Sequence, residues 1–375
     1  MESLLRRVDL RRVAVTLAAP AMALVFASIV TVLILVWTGS SVTDTVQAVW
    51  NYSESDRVRA NTFNLATTYY LSALAVAIGF RMNLFNIGVE GQYRLAAITA
   101  AWVGGEIALP KPLHLATIIL TAMFVGAMWA GIAAVLKVTR GVSEVISTIM
   151  LNAIATALSA YFLREVAVEV AGSNNIGTKP IPESGAFPAL EIPWLDTPLY
   201  GFIVVAVLCG VVYTVVLGRT RFGFDLRATG ASETAAVASG VSVKRMVVYA
   251  MLLSGAVAGL VGMPELLGGS SRSYALNFPA GLGFTGIAIA LLGRNNAVGM
   301  AFGALLFSYL DSSSVILDIS GVSKEIVLIL QGVIVLAVVV AYEVVRRYTI
   351  VADQKRVARQ LDQERHTADP AEVKA

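Results

Sequence analysis

The residues best equipped for chemistry stand together in one nine-residue stretch, NIGVEGQYR (86–94). Glu90 and Arg94 are four apart, acid first, the favoured order for an ion pair along a helix. Asn86 falls one turn earlier on the same face. Such a set has two uses. It can neutralise itself and fix how helices pack, or it can form the polar wall of a water-filled path. Apolar runs flank it at 71–80 and 95–103, and charge inside lipid is costly, so the set marks a functional site by default. Gly88 and Gly91 flank the acid and permit a break in the helix, which favours the path. Glu90 is expected to face the protein interior. A pair that served only itself would survive exchange of the two residues. Asn152, in TIMLNAIATALSAYF, is a second lone amide in apolar surroundings.

Other chemistry has little to work with. No GxxxxGK[ST] occurs, which excludes ATP hydrolysis through a P-loop. His114 and His366 are the only histidines, so a histidine-rich metal site is excluded and a Ser-His-Asp arrangement disfavoured. The single cysteine, Cys209, excludes an internal disulfide and any CxxC motif, and reads as a small buried hydrophobe. GLGFTG (281–286) matches GxGxxG, but the dinucleotide fingerprint needs a βαβ unit, and here an apolar run, IAIALLG, follows. These glycines read as sites of close helix approach or of a helix break. GAVAG (255–259) and GMAFG (299–303) read as tight helix packing. The expected classes are therefore neither enzyme nor metalloprotein.

The elements that must position these residues are membrane spans. Of 375 residues, 57% are hydrophobic and 14% charged, against roughly a quarter charged in soluble chains; the mean hydropathy is +0.74. The pattern predicts an all-α polytopic membrane protein with about ten spans, at 13–37, 61–80, 83–104, 113–136, 142–163, 199–217, 246–267, 280–293, 297–310 and 324–345. The eighth and ninth are short, as half-helices or one incomplete hairpin would be. The basic start leads into a run too long for a secretory signal, so it is read as a retained first span. With the N-terminus inside, twenty lysines and arginines fall on the cytoplasmic side and seven outside, which places both termini in the cytoplasm. Five spans per half would make any repeat an inverted 5+5 one.

The expected organisation is a cytoplasmic N-terminus (1–12), a transmembrane domain (13–345) and a charged cytoplasmic tail (346–375). The outer loop 164–198 carries five prolines and reads as an extended, semi-rigid cover. The inner loop 218–245 contains ASETAAVASG, a short helix with Ser232 as N-cap, Glu233 at the positive end of the dipole and Gly240 as stop. Ala231, Ala235, Ala236 and Ala238 are expected to give it a small surface able to sit in a partner's groove.

Four stretches then carry a resemblance: FNIGVEGQ (85–92), SEVISTIMLNAIA (143–155), LRATGASETAAVASGV (226–241) and GFTGIAIALLGRNNAVG (283–299). In this order they resemble the permease subunits of simple-sugar and nucleoside ABC importers, which are related to ribose and branched-chain amino-acid permeases. The resemblance implies a translocation-path subunit in a bacterial cytoplasmic (inner) membrane. Its expected partners are a separate cytoplasmic ABC ATPase that binds the ATP, a second and different permease, and a substrate-binding lipoprotein. No cofactor of its own and no nucleic acid are implied. It places Phe85, Asn86, Glu90, Asn152, Phe284 and Thr285 on the substrate path. It places Arg227, Gly230, Ser232, Glu233, Ala235, Ala236 and Gly240 on the segment that docks the ATPase. Arg94 stands where relatives tend to carry an apolar or neutral residue, and Ser232 and Ala297 where asparagine and proline are expected.

The resemblance favours nucleosides, with simple sugars as the alternative. Phe85 and Tyr93 offer aromatic faces to a base, although aromatics in spans more often pack. An ion-coupled secondary transporter is the rival from another class, and the sparse acids (Glu90, Glu144, Glu265, Asp311) give it no obvious proton relay. A scaffold or receptor would need larger soluble parts than these loops provide.

Overall fold

The structure, a computed structural model, describes residues 25, 26, 28–39, 41–169, 176–193, 195, 197–319, 323 and 325–367. The expected N-terminal segment 1–12, the first half of the first span and the last eight residues of the tail lie outside them. Fourteen α-helices are described: α1 (Ser28–Trp37), α2 (Val42–Ser53), α3 (Asp56–Phe80), α4 (Val89–Glu106), α5 (Lys111–Arg140), α6 (Glu144–Val166), α7 (Ile203–Arg219), α8 (Arg221–Ala231), α9 (Glu233–Ala238), α10 (Val243–Gly259), α11 (Met263–Gly268), α12 (Leu282–Leu292), α13 (Ala297–Ile319) and α14 (Glu325–Thr367). The chain divides into two compact units, 46–320 and the remainder.

Among the described residues, six helices are long and apolar enough to cross a membrane. They are α3, α5, α6, α10 with α11, α13, and the first half of α14. The expected third span does not start at 83, because the chain turns between Phe80 and Val89 before α4 begins. The expected eighth span is indeed short: α12 has 11 residues. The ninth is not. α13 runs for 23 residues, because the small and hydroxyl side chains of SYLDSSS continue the helix past 310.

The unit 46–320 is built around α3. In its most apolar window 78% of residues are buried, against 33% in α5 and in α6, so α3 is the central helix and those two face outward. A helix that is apolar or small on all sides is a core helix. α10 lies against α5 at backbone distance. A Cβ on Gly126 would sit 2.2 Å from the Gly255 carbonyl oxygen, and one on Gly255 would sit 2.4 Å from the Gly126 carbonyl oxygen. GAVAG is thus half of a two-sided contact of small residues. Gly255→Leu is expected to cut the yield of monodisperse detergent-purified protein at least fivefold, since overpacking a tight core costs about 1–3 kcal/mol or more. An unchanged size-exclusion profile and yield would show that α5 and α10 separate freely.

The proline-rich loop is not an extended cover. Val168–Glu169 and Ile176–Gly177 pair as short antiparallel strands. Thr178 N–H then donates to the Tyr274 carbonyl (2.9 Å), Ile181 N–H to Arg272 (2.9 Å) and Phe187 N–H to Leu267 (3.1 Å). Prolines have no N–H to give, so the residues around them carry the pairing and lace the loop onto the end of α11 and the segment after it.

In the inner loop, Ser232 caps α9 by accepting from Ala235 N–H (3.3 Å), and Gly240 ends it at φ +82°. The Val241 N–H reaches back to the Ala236 carbonyl (2.9 Å), which closes a Schellman turn. α8, which precedes it at 71° to α7, is an additional helix that the pattern ASETAAVASG does not announce. In the other unit, α14 is a single helix of 43 residues, so the expected tail continues the last span as helix to Thr367.

Candidate functional site

The site is organised by the break between α3 and α4. After α3 the chain turns through Asn83, a left-handed residue (φ 59°), and re-enters at Gly88. Glu90, in the first turn of α4, is 5% exposed. Its Oε1 accepts from Arg94 Nε (2.8 Å) and from the Gly281 N–H (2.9 Å), and lies 3.0 Å from the Tyr93 hydroxyl. Its Oε2 accepts from the Gly283 N–H (3.0 Å). The Glu90 carboxylate is therefore the cap of α12, an anion placed on the positive end of a helix dipole and on N–H groups with no partner in their own helix. Gly281 adopts φ +82° to open that turn, and a Cβ on Gly283 would lie 2.4 Å from Glu90 N.

At about 1.5 Å per residue, the 11 residues of α12 span roughly 16 Å, half of a bilayer core of about 30 Å. Its start is buried among protein, where an irregular backbone is tolerated. Ser72 of α3 donates to the Leu282 carbonyl (2.8 Å), and Gly286 packs against Ser72, so α12 is wedged between α3 and α4.

Asn86 is wholly buried. Its Nδ2 donates to Ser254 Oγ (2.8 Å) and Gln92 Oε1 (3.1 Å), and its Oδ1 accepts from Gln92 Nε2 (2.9 Å) and the Gly88 N–H (3.1 Å). In this conformation its amide is spent inside the protein and forms no wet wall. Asn152 of α6 clasps the same turn: it accepts from the Gly91 N–H (2.9 Å) and donates to the Ile87 carbonyl (2.9 Å). Thr285 lies one turn into α12 and donates to the Gly281 carbonyl (3.2 Å). Four of the residues expected on a path thus converge on the break and on the start of α12. Phe85 and Phe284 do not join them. Both side chains are exposed, and Phe85 makes an edge contact with Phe80. Tyr93 is fully buried, with its hydroxyl 2.9 Å from the Pro279 carbonyl, so its ring packs the core.

The structure adds partners that spacing did not single out. Ser72, Gln92 and Ser254 complete the network beside Gly281 and Gly283, whose motif GLGFTG reads as close approach or a helix break, and Tyr69 donates to Asp311 where α3 meets α13. Next to the start of α12 lies a cavity of about 50 Å³ whose polar lining is Asn61, Asn64, Thr68, Tyr200 and Glu265, with Leu65, Val261, Phe278 and Leu282 among the apolar part.

At the inner loop, Arg227 and Gly230 lie on α8, and Gly230 rests against the backbone of Arg81 and Met82. Ser232, Glu233, Ala235 and Gly240 are exposed. Ala236 is a correction: it is 2% exposed and faces inward, because α9 turns this side toward α8 and α10.

A family model described as the permease component of the branched-chain amino acid transport system matches residues 58–339. The chain belongs to this permease family. It is 36% identical to the guanosine ABC transporter permease NupP of Bacillus subtilis over 88% of this chain and 94% of that one. It is 34% identical to the glucose ABC transporter permease TsgB13 of Haloferax volcanii over 76% of each. It is 28% identical to the nucleoside ABC transporter permease NupB of Lactococcus lactis over 78% of this chain and 84% of that one. No solved structure matches. The permease is thus an integral membrane subunit of an ABC transporter, and its helices carry the α12 half-span as part of that fold.

Proposed function

We propose that this permease is the translocation-path subunit of a nucleoside importer. The observation that carries the substrate class is its likeness, nearly end to end, to a guanosine permease, joined by a second nucleoside permease. The Glu90-capped half-helix supports a transport role: broken helices whose N-termini lie inside the bilayer are a recurring device at transporter substrate sites. In this reading the break around 86–91, with Asn152 and Thr285, is the hinge of the path, and Phe85 and Phe284 meet substrate in another state of the cycle. A separate ATPase binds ATP and docks on 218–245, a second permease completes the path, and a lipoprotein delivers substrate. The domain scheme is the one read from the sequence, with both termini in the cytoplasm of a bacterial inner-membrane protein and no cofactor of its own.

The test is uptake of radiolabelled guanosine, adenosine, uridine and glucose by cells with and without this chain. Nucleoside uptake is expected to fall at least tenfold on deletion while glucose uptake stays level. A loss confined to glucose would favour the sugar reading that the Haloferax relative supports. Unchanged uptake of all four would remove both.

A further inference from the structure

An apolar groove of about 650 Å³ runs between α3, α7 and α13, floored by Ala66, Tyr70, Ala206, Gly210 and Ala301 and rimmed by the exposed Phe302. Arg219 closes one end. There a second cavity of about 280 Å³ begins, sharing Thr214 and Ala297 with the groove and lined by Arg81, Tyr213, Arg227 and Asn296. Neither lining contains a carboxylate. Asp225, outside both linings, faces Arg221 at 3.9 Å. Arg81 is held in place by the Asn295 carbonyl (2.7 Å) and the Tyr213 hydroxyl (3.3 Å), both neutral, so its charge is not cancelled by these contacts. Ala297 is also the first residue of α13, whose N-terminal dipole adds positive potential to the same mouth.

We propose that this bipartite site binds one anionic phospholipid, with an acyl chain in the groove and the headgroup phosphate in the arginine-lined mouth. The dimensions agree. α7, along which the groove runs, is 17 residues or roughly 25 Å long, which brings Arg219 to the edge of a bilayer core of about 30 Å, where phosphates lie. A basic pocket between membrane helices is a recognised headgroup site, and each cation near an anionic surface is worth about fivefold in affinity. The site is independent of which solute is carried, although Arg219 and Arg227 belong to the segment 218–245 on which the ATPase is proposed to dock.

The experiment is native mass spectrometry of the purified chain with equal phosphatidylglycerol and phosphatidylcholine. The wild type is expected to retain one phosphatidylglycerol per chain with a preference of at least tenfold. Arg219→Gln, at an exposed position, should lower that preference at least threefold. Ala301→Trp, which fills the groove, should lower retention of both lipids. Equal retention of the two lipids by the wild type overturns the proposal without recourse to any variant. Unchanged preference in Arg219→Gln also overturns it. So does loss of the bound lipid when the ATPase subunit is added, because the mouth would then be a protein-docking surface.

Discussion

Glu90→Gln is expected to lower uptake at least severalfold while the permease still reaches the membrane. The wild-type carboxylate takes N–H groups from Gly281 and Gly283 on its two different oxygens and pairs with Arg94. Glutamine offers one acceptor oxygen, and its NH₂ would face one of those N–H groups as a second donor. A buried donor left without a partner costs about 1–3 kcal/mol. Against a total stability of about 5–15 kcal/mol the fold survives, but the start of α12 is no longer pinned. The double variant that exchanges Glu90 and Arg94 separates two roles. An ion pair that mattered only to itself would be restored by the exchange. An arginine at 90, however, turns its own donors toward Gly281 and Gly283, so uptake is expected to stay low. Recovery of uptake in the exchanged variant would reduce Glu90 to half of a packing pair and sink the capping role.

The second large effect is expected at the inner loop. Ala235→Arg should abolish transport with the permease still in the membrane, and the ATPase should fail to co-purify. Ala235 is exposed on α9, so the new guanidinium can reach solvent in the isolated chain but is buried when a partner closes over the helix, and an unpaired charge in an interface costs several kcal/mol. Ala236→Arg should give a different result. That side chain already points into the packing of α9, so the variant should lose protein rather than coupling. Exposed positions without a partner tolerate substitution within about half a kcal/mol. Normal uptake and co-purification in Ala235→Arg would move the docking site elsewhere.

What the sequence made legible was whatever a few neighbouring residues decide. Ser232 and Gly240 bracket α9 because a cap and a left-handed stop are local chemistry. The glycine motifs foretold tight packing because small residues are the means of close approach, although the partner of Gly255, at Gly126, could not be named. Glu90 was found through its cost in lipid, but its use was hidden, because Gly281 and Gly283 lie about 190 residues further along the chain. The same distance hid Ser254 from Asn86. The spans read within 46–320 became helices of 6 to 30 residues for a related reason: hydropathy reports what can sit in lipid, not where the backbone breaks once other helices can satisfy it.

The shortness of α12 bears on how the protein is made. A segment of 11 residues cannot cross a bilayer alone, and lipid offers no acceptors for the N–H groups at its start. It becomes stable only where α3 and α4 already stand, since Glu90 supplies the acceptors that lipid withholds and Ser72 adds a bond to the Leu282 carbonyl. During synthesis, those two helices must wait with a carboxylate matched only within α4, by Arg94, until nearly two hundred further residues have been translated. Biogenesis of the permease is therefore obliged to be a late, cooperative closure, and a ribosome-bound chain that stops short of Gly281 presents quality control with a buried acid that has lost its helix.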